Sequence, residues 1–142
     1  MPINDVIGTY TTSNEVGYAG MIADGAAKDV SSRVIETADV AFGLAVGAGT
    51  ADGSAMLGGT GFEGIAIADK SQEQDAYLVG DVAGVMRKGT VWVTASTDVD
   101  PTDPVTFTAA TGVIGAGLAT TIAGAKFETT ATAGNLVRVY LG

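Results

Sequence analysis

The chain has 142 residues without cysteine or histidine, and its 7 basic and 16 acidic side chains give a formal net charge of −9 at pH 7. The lack of these two residue types excludes a thiol nucleophile, a His-based catalytic triad, a zinc finger and a disulfide framework. The charge argues against binding to nucleic-acid phosphates, since the only adjacent basic pair is Arg87-Lys88. The length fits one domain with its own hydrophobic core.

The first 18 residues lack the periodicity of a strand or a helix, because short polar residues and glycines interrupt them throughout. Tyr10 and Tyr18 are the aromatic side chains of this segment. We predict an extended N-terminal arm over residues 1–18 that is either disordered or ordered on a partner, and the two tyrosines favour a partner.

From residue 19 onward, short β-prone runs alternate with turn signals such as Asp52-Gly53 and Gly58-Gly59. Val, Ile and Thr together make up 42 residues against 6 Leu, which favours strands over helices. The candidate strands are 19–23, 30–36, 40–47, 54–57, 62–68, 76–80, 82–86, 90–96, 104–109, 112–116, 125–131 and 135–141. This spacing predicts an all-β fold with a single β-sandwich domain over residues 19–142, for which a jelly roll is one arrangement. No run approaches the roughly 20 apolar residues of a membrane helix, so no membrane partner is expected.

Two groups of apolar residues have more than one interpretation. In the run 89–95, Val91 and Val93 share one strand face and Trp92 lies on the other. Trp92 either fills a second side of the core or lies at a subunit interface, where tryptophan often anchors binding. Met21 and Ile22 either begin the first core strand or contact a neighbouring molecule.

Two motifs suggest chemistry at first sight. Residues 59–64 match the Gly-rich dinucleotide pattern, but Gly64 leads into a strand pattern instead of the required helix, so a glycine-rich turn is predicted. Asp98, Asp100 and Asp103 lack the glycine and glutamate spacing of a calcium loop, which indicates a solvated turn. We therefore predict no catalytic residue, no cofactor site and no metal site, and we expect that the protein is not an enzyme.

The order of several segments along the chain carries a resemblance. The segments are 20–24 (GMIAD), 30–34 (VSSRV), 41–46 (AFGLAV), 62–69 (FEGIAIAD), 77–81 (YLVGD), 88–93 (KGTVWV) and 134–139 (GNLVRV). Together they resemble the structural cement proteins of tailed bacteriophages, small decoration proteins on the outside of the capsid. The likeness spans about residues 18–141, and it departs at Thr102-Asp103-Pro104, where a Gly-Asp would be expected.

The resemblance implies a virion protein without cofactor or reaction. It implies a β-sandwich that forms a homo-oligomer, with a homodimer preferred over a homotrimer, and that binds the assembled major capsid protein on the outer capsid surface. There it would stabilise the shell across capsomer boundaries. The candidate contacts with the capsid or with another subunit are Tyr10, Tyr18, Met21, Ile22 and Trp92.

A second function class stays open beside this one. A β-sandwich displayed on the virion could instead bind carbohydrate or adhere to a host surface. Such a module needs exposed aromatic side chains in a cleft beside Asp, Asn or Arg, and the chain offers Trp92 and four tyrosines for that purpose.

Overall fold

The computed structural model describes residues 18–23, 28–59, 61–69 and 75–141. In this part of the chain there are twelve strands and no helix, which confirms the predicted all-β class. The strands are β1 (Asp29–Glu36), β2 (Val40–Ala41), β3 (Ala45–Ala48), β4 (Ser54–Leu57), β5 (Phe62–Ala66), β6 (Ala76–Tyr77), β7 (Val82–Lys88), β8 (Thr90–Thr94), β9 (Pro104–Phe107), β10 (Ile114–Gly115), β11 (Thr120–Phe127) and β12 (Leu136–Tyr140).

Five strands close into a small barrel in the order β1-β4-β3-β5-β7. Strand β1 pairs antiparallel with β7 along most of its length and parallel with β4 at its end. Each of the five strands contributes a buried side chain to one apolar cluster, namely Ile35, Ala55, Val46, Ala66 and Val85. Because successive strand residues point to opposite sides, these side chains fill the barrel while their neighbours face outward.

The second sheet has the order β10-β9-β11-β12-β8 and packs against the outside of the barrel. Its core includes Val91 and Val93, which are fully buried, as the predicted alternation of β8 requires. The barrel adds Ile65 and Met86 to this same cluster, so one continuous core joins the two sheets. A single parallel bridge between Ala95 and Ile114 brings the two ends of the sheet together.

Several predicted strands have other bounds in the structure. The run 40–47 is split into β2 and β3, because Gly43 turns the backbone with a φ of 87°. The run 76–80 ends as a strand at Tyr77, before a turn in which Gly80 has a φ of 96°. The run 125–131 is shifted toward the N-terminus, since the strand spans Thr120–Phe127. The jelly-roll arrangement stays a prediction.

Candidate interaction surface

Residues 18–23, here named the seam segment, lie along the free side of β8. The Gly20 amide donates to the Trp92 carbonyl at 2.7 Å, and the Trp92 amide donates to the Met21 carbonyl at 2.9 Å. Further on, the Ala23 amide donates to the Thr90 carbonyl at 2.8 Å. The seam segment therefore acts as an extra strand, which satisfies backbone groups that an exposed sheet edge would leave open to other chains.

The seam segment also contacts the barrel, through two glycines. The Ala68 amide donates to the Gly20 carbonyl at 2.8 Å. A Cβ atom on Gly20 would lie only 2.8 Å from both the Ala68 amide nitrogen and the Phe42 Cβ, and Gly20 has a φ of 84°. A Cβ on Gly43 would in turn lie 3.0 Å from the Ala19 Cβ. The close approach thus needs glycine at these positions, and it ties the barrel to the second sheet.

Four of the five predicted contact residues lie on or beside this seam. Tyr18 is 39% exposed, Met21 and Ile22 are half-buried, and Ile22 packs against the core that joins the two sheets. Trp92 is half-buried, and the described residues of that core do not include it, so both interpretations of Trp92 stay predictions. The fifth residue, Tyr10, lies outside the described residues. The shared location comes from the pairing of the seam segment with β8.

A cavity of about 320 Å³ opens beside the seam. Its lining includes Tyr18, Phe42, Leu44 and Thr94, with Asp75 as the one charged residue. The Phe42 ring also packs on the Tyr77 ring at a centroid distance of 5.2 Å, which fixes the barrel wall of the cavity. Tyr18 is therefore placed between an apolar cavity and solvent.

The three aspartates between β8 and β9 organise a turn. The Thr102 amide donates to the Asp100 carboxylate at 2.8 Å, and the Asp100 amide donates to the Asp103 carboxylate at 3.0 Å. Hydrogen bonds from the Thr102 hydroxyl and amide lower the pKa of Asp100. The Ala133 amide donates to Asp98. In the described ranges no three potential ligands are grouped in a way that could hold a metal ion.

The glycine-rich run leads into a strand. Gly59 has a φ of 80°, and β5 begins at Phe62 and includes Gly64. A phosphate-binding loop of the dinucleotide type would need a helix at this point.

Among the described residues no helix has the length and hydropathy to cross a membrane.

Two solved structures share this fold. A chain from the capsid of Myoviridae phage XM1 superposes with a TM-score of 0.70 at 20% identity, covering 94% of this chain and 96% of that chain. The N base of the head fiber gp8.5 of bacteriophage phi29 superposes with a TM-score of 0.55 at 14% identity, covering 82% of this chain and 95% of that chain. No curated protein matches the sequence.

The sequence matches a family model over residues 7–142, nearly its whole length, and that model describes the structural cement protein (E217 gp24/Pam3 gp6). The match defines the class of molecule, which is a structural protein of a phage virion. Within that class, the chain belongs to the structural cement protein family and is located on the capsid surface. The resemblance found in the order of sequence segments is thereby confirmed, and family membership implies a structural role.

Proposed function

We propose that this protein binds the outer surface of the assembled major capsid protein as a homo-oligomer and stabilises the shell across capsomer boundaries. The observation that carries the proposal is the family match over residues 7–142. A homodimer is preferred and a homotrimer is the alternative, because closed cyclic oligomers match the local symmetry axes of an icosahedral shell. The net charge of −9 agrees with a position outside the wall, away from packaged DNA.

The stabilisation follows from linked weak contacts. A shell under internal pressure fails where capsomers meet, and a subunit that touches two capsomers adds contact area across that boundary. Joining several such contacts in one oligomer raises avidity by roughly 10²–10⁴ through effective concentration. The protein needs no reaction for this role, only a rigid body that presents side chains to the shell.

We assign the contacts with the shell or with a neighbouring subunit to the arm and the seam segment. Tyr18, Met21, Ile22 and Trp92 lie on or beside the seam segment, and Tyr10 is assigned to the contact from the sequence alone. Their support is geometric: Tyr18 is exposed and anchored beside a cavity, and Met21 and Trp92 are half-buried on paired backbone segments. Large aromatic residues in such positions often dominate interface energetics.

The direct test adds purified protein to capsids that lack it. We expect electron microscopy to show density on the outer surface at capsomer boundaries. Decorated capsids should also break at a higher temperature or internal pressure than bare capsids. Decoration with an unchanged breakage threshold would contradict cementing. If the added protein leaves the capsids undecorated but binds glycans, the carbohydrate-binding or host-adhesion alternative is supported instead.

A second test separates the arm from the body. Deleting residues 2–17 stops short of the seam segment, so the hydrogen bonds of Gly20 and Met21 to β8 are retained. We expect a folded protein with an unchanged circular dichroism spectrum that decorates capsids poorly. Full occupancy of capsids by the deletion variant would contradict a role for the arm in attachment.

A further inference from the structure

The outer side of the β1–β7 ladder carries an exposed apolar surface. Val34 lies directly opposite Val82 in the register, and Ser32 lies opposite Gly84. Val30, Val34 and Val82 are 40%, 44% and 60% exposed, although they are strand residues of the barrel. Solvent-facing strand positions usually carry polar side chains, so this surface, here named the β1–β7 face, has the composition of an interface.

The face is continuous along the ladder. A Cβ atom on Gly84 would lie 3.0 Å from Ile67 Cγ1 and 3.7 Å from Val30 Cγ1, so these two side chains flank the glycine. Met86, two residues after Gly84 in β7, is fully buried in the core beneath the second sheet. The β1–β7 face is thus a part of the barrel's outer wall that the second sheet leaves uncovered.

Charges of opposite sign stand at the two ends of this face. Three basic groups, Lys28, Arg87 and Lys88, lie at one end, and three acidic groups, Glu36, Asp39 and Asp81, lie at the other. The ladder fixes this arrangement, because the residue that begins β1, Asp29, pairs with Lys88. Two acids, Asp29 and Glu63, line a cavity with Arg87 and Lys88 at the basic end, and Glu63 is paired with Arg33 at 3.4 Å. None of the six groups forms an ion pair with another residue of the described ranges.

We infer that the β1–β7 face binds the same face of a second copy of this chain, around a two-fold axis near Ser32. In that antiparallel arrangement Val30 of one copy meets Val34 of the other, and each basic end meets an acidic end. Ser32 and Gly84 occupy the centre of the ladder, where their small size lets the two faces approach. A parallel arrangement would place like charges together. The inference rests on the proposed function only in naming the surface of its preferred homodimer.

The absence of cysteine makes the axis directly testable. Ser32→Cys places one thiol per chain at the centre of the face, and Thr132→Cys places a matched exposed thiol in the loop before β12. With a short bismaleimide we expect the Ser32 variant to be trapped as a covalent dimer and the Thr132 variant to stay uncrosslinked. An oligomer of the native chain without a Ser32 cross-link overturns the inference.

A second measurement tests the apolar contact itself. Val82→Lys should raise the dimer dissociation constant by at least about tenfold in sedimentation equilibrium, because it buries a positive charge that faces the basic end of the second copy. Tyr140→Lys is the control, since Tyr140 is 39% exposed on the second sheet. Equal dimerisation of both variants overturns the inference. If circular dichroism shows Val82→Lys unfolded, Val34→Thr gives the same test with almost no change in volume.

These results separate this inference from the proposed function. A native chain that is monomeric at all concentrations, yet decorates capsids, overturns the dimer and leaves cementing standing. A dimer trapped through Ser32 that fails to decorate capsids supports the dimer and contradicts cementing. A dimer that decorates capsids, with Val82→Lys losing both properties, supports both.

Discussion

The body of the protein has two apolar margins, the free side of β8 and the β1–β7 face, and they are covered in different ways. The free side of β8 is closed by the chain's own seam segment, through backbone hydrogen bonds of 2.7–2.9 Å. The β1–β7 face has no such cover within the described residues, and Val82 stays 60% exposed there. Both margins are apolar, so hydrophobicity alone does not explain why only one is closed.

The difference lies in what each margin exposes. The edge of β8 presents backbone donors and acceptors, which would pair with any extended chain, and the protein satisfies them internally. The β1–β7 ladder lies within a closed barrel, so its outer side presents side chains and no open edge. Contacts through side chains select a partner by shape and charge. A face of this kind can therefore stay exposed for one specific partner without pairing with other extended chains.

The largest expected effect comes from breaking the closed margin at Gly20. Gly20→Ala and Gly134→Ala both put a side chain at a positive φ, 84° and 91°. At Gly134 there is open space, whereas at Gly20 the new Cβ meets the Ala68 amide nitrogen at 2.8 Å. In urea denaturation we expect a loss of ~3 kcal/mol for Gly20→Ala and of ~1 kcal/mol for Gly134→Ala. Equal losses would show that the seam is not tightly packed.

A smaller effect is expected from removing one side chain at each margin. Ile22→Ala removes a half-buried side chain that packs on the common core, which should cost ~1–2 kcal/mol of unfolding free energy. Val82→Ala removes an exposed side chain and should change the free energy by less than ~0.5 kcal/mol. Both are to be measured at concentrations where sedimentation shows monomers. A larger loss for Val82→Ala would mean that the open face is already packed within one chain.

The parts of the fold that were predicted from sequence depend on local periodicity. The inward faces of Val91 and Val93 follow from a period of two that the neighbouring turns do not disturb. The barrel could not be predicted in this way, because it needs the parallel pairing of Val34 with Ser54 across a long connection. The break in the run 40–47 depends on the φ of Gly43, which in turn reflects its packing on Ala19.

The candidate contact surfaces, too, depend partly on local sequence pattern and partly on pairing between distant segments. Met21 and Ile22 stand out in the sequence as apolar residues after the arm, but the pairing of Met21 with Trp92 and of Ile22 with Val91 joins positions far apart in the chain. The predicted strand 30–36 puts Val30, Ser32 and Val34 on one face, because successive strand residues point to opposite sides. What the sequence does not contain is which strand face the second sheet covers, and this decides that the β1–β7 face is exposed.

The smallest expected effect concerns Glu36, at the acidic end of the open face. The Thr50 amide donates to its carboxylate at 2.9 Å and the Ser54 hydroxyl at 2.7 Å, and these hydrogen bonds lower the pKa of Glu36 below its ordinary 4.5. A lowered folded-state pKa means that this stabilisation is present above pH 4.5 and is lost as the pH falls through the folded-state value.

Glu36→Gln should therefore lower the melting temperature at pH 7 by less than Ile22→Ala does, and the native and variant curves should converge as the pH falls below 4.5. Asp52→Asn is the matched control, since Asp52 is an exposed carboxylate in the nearby β3–β4 turn. At pH 7 we expect Asp52→Asn to lower the melting temperature by less than Glu36→Gln does. A constant difference between native and Glu36→Gln curves across this range would show that the charge of Glu36 is not stabilised by the barrel. The hydrogen bonds from Thr50 and Ser54 would then not hold the Glu36 carboxylate in its charged form. Only the position of Glu36 at the end of β1 would account for its place in the acidic end.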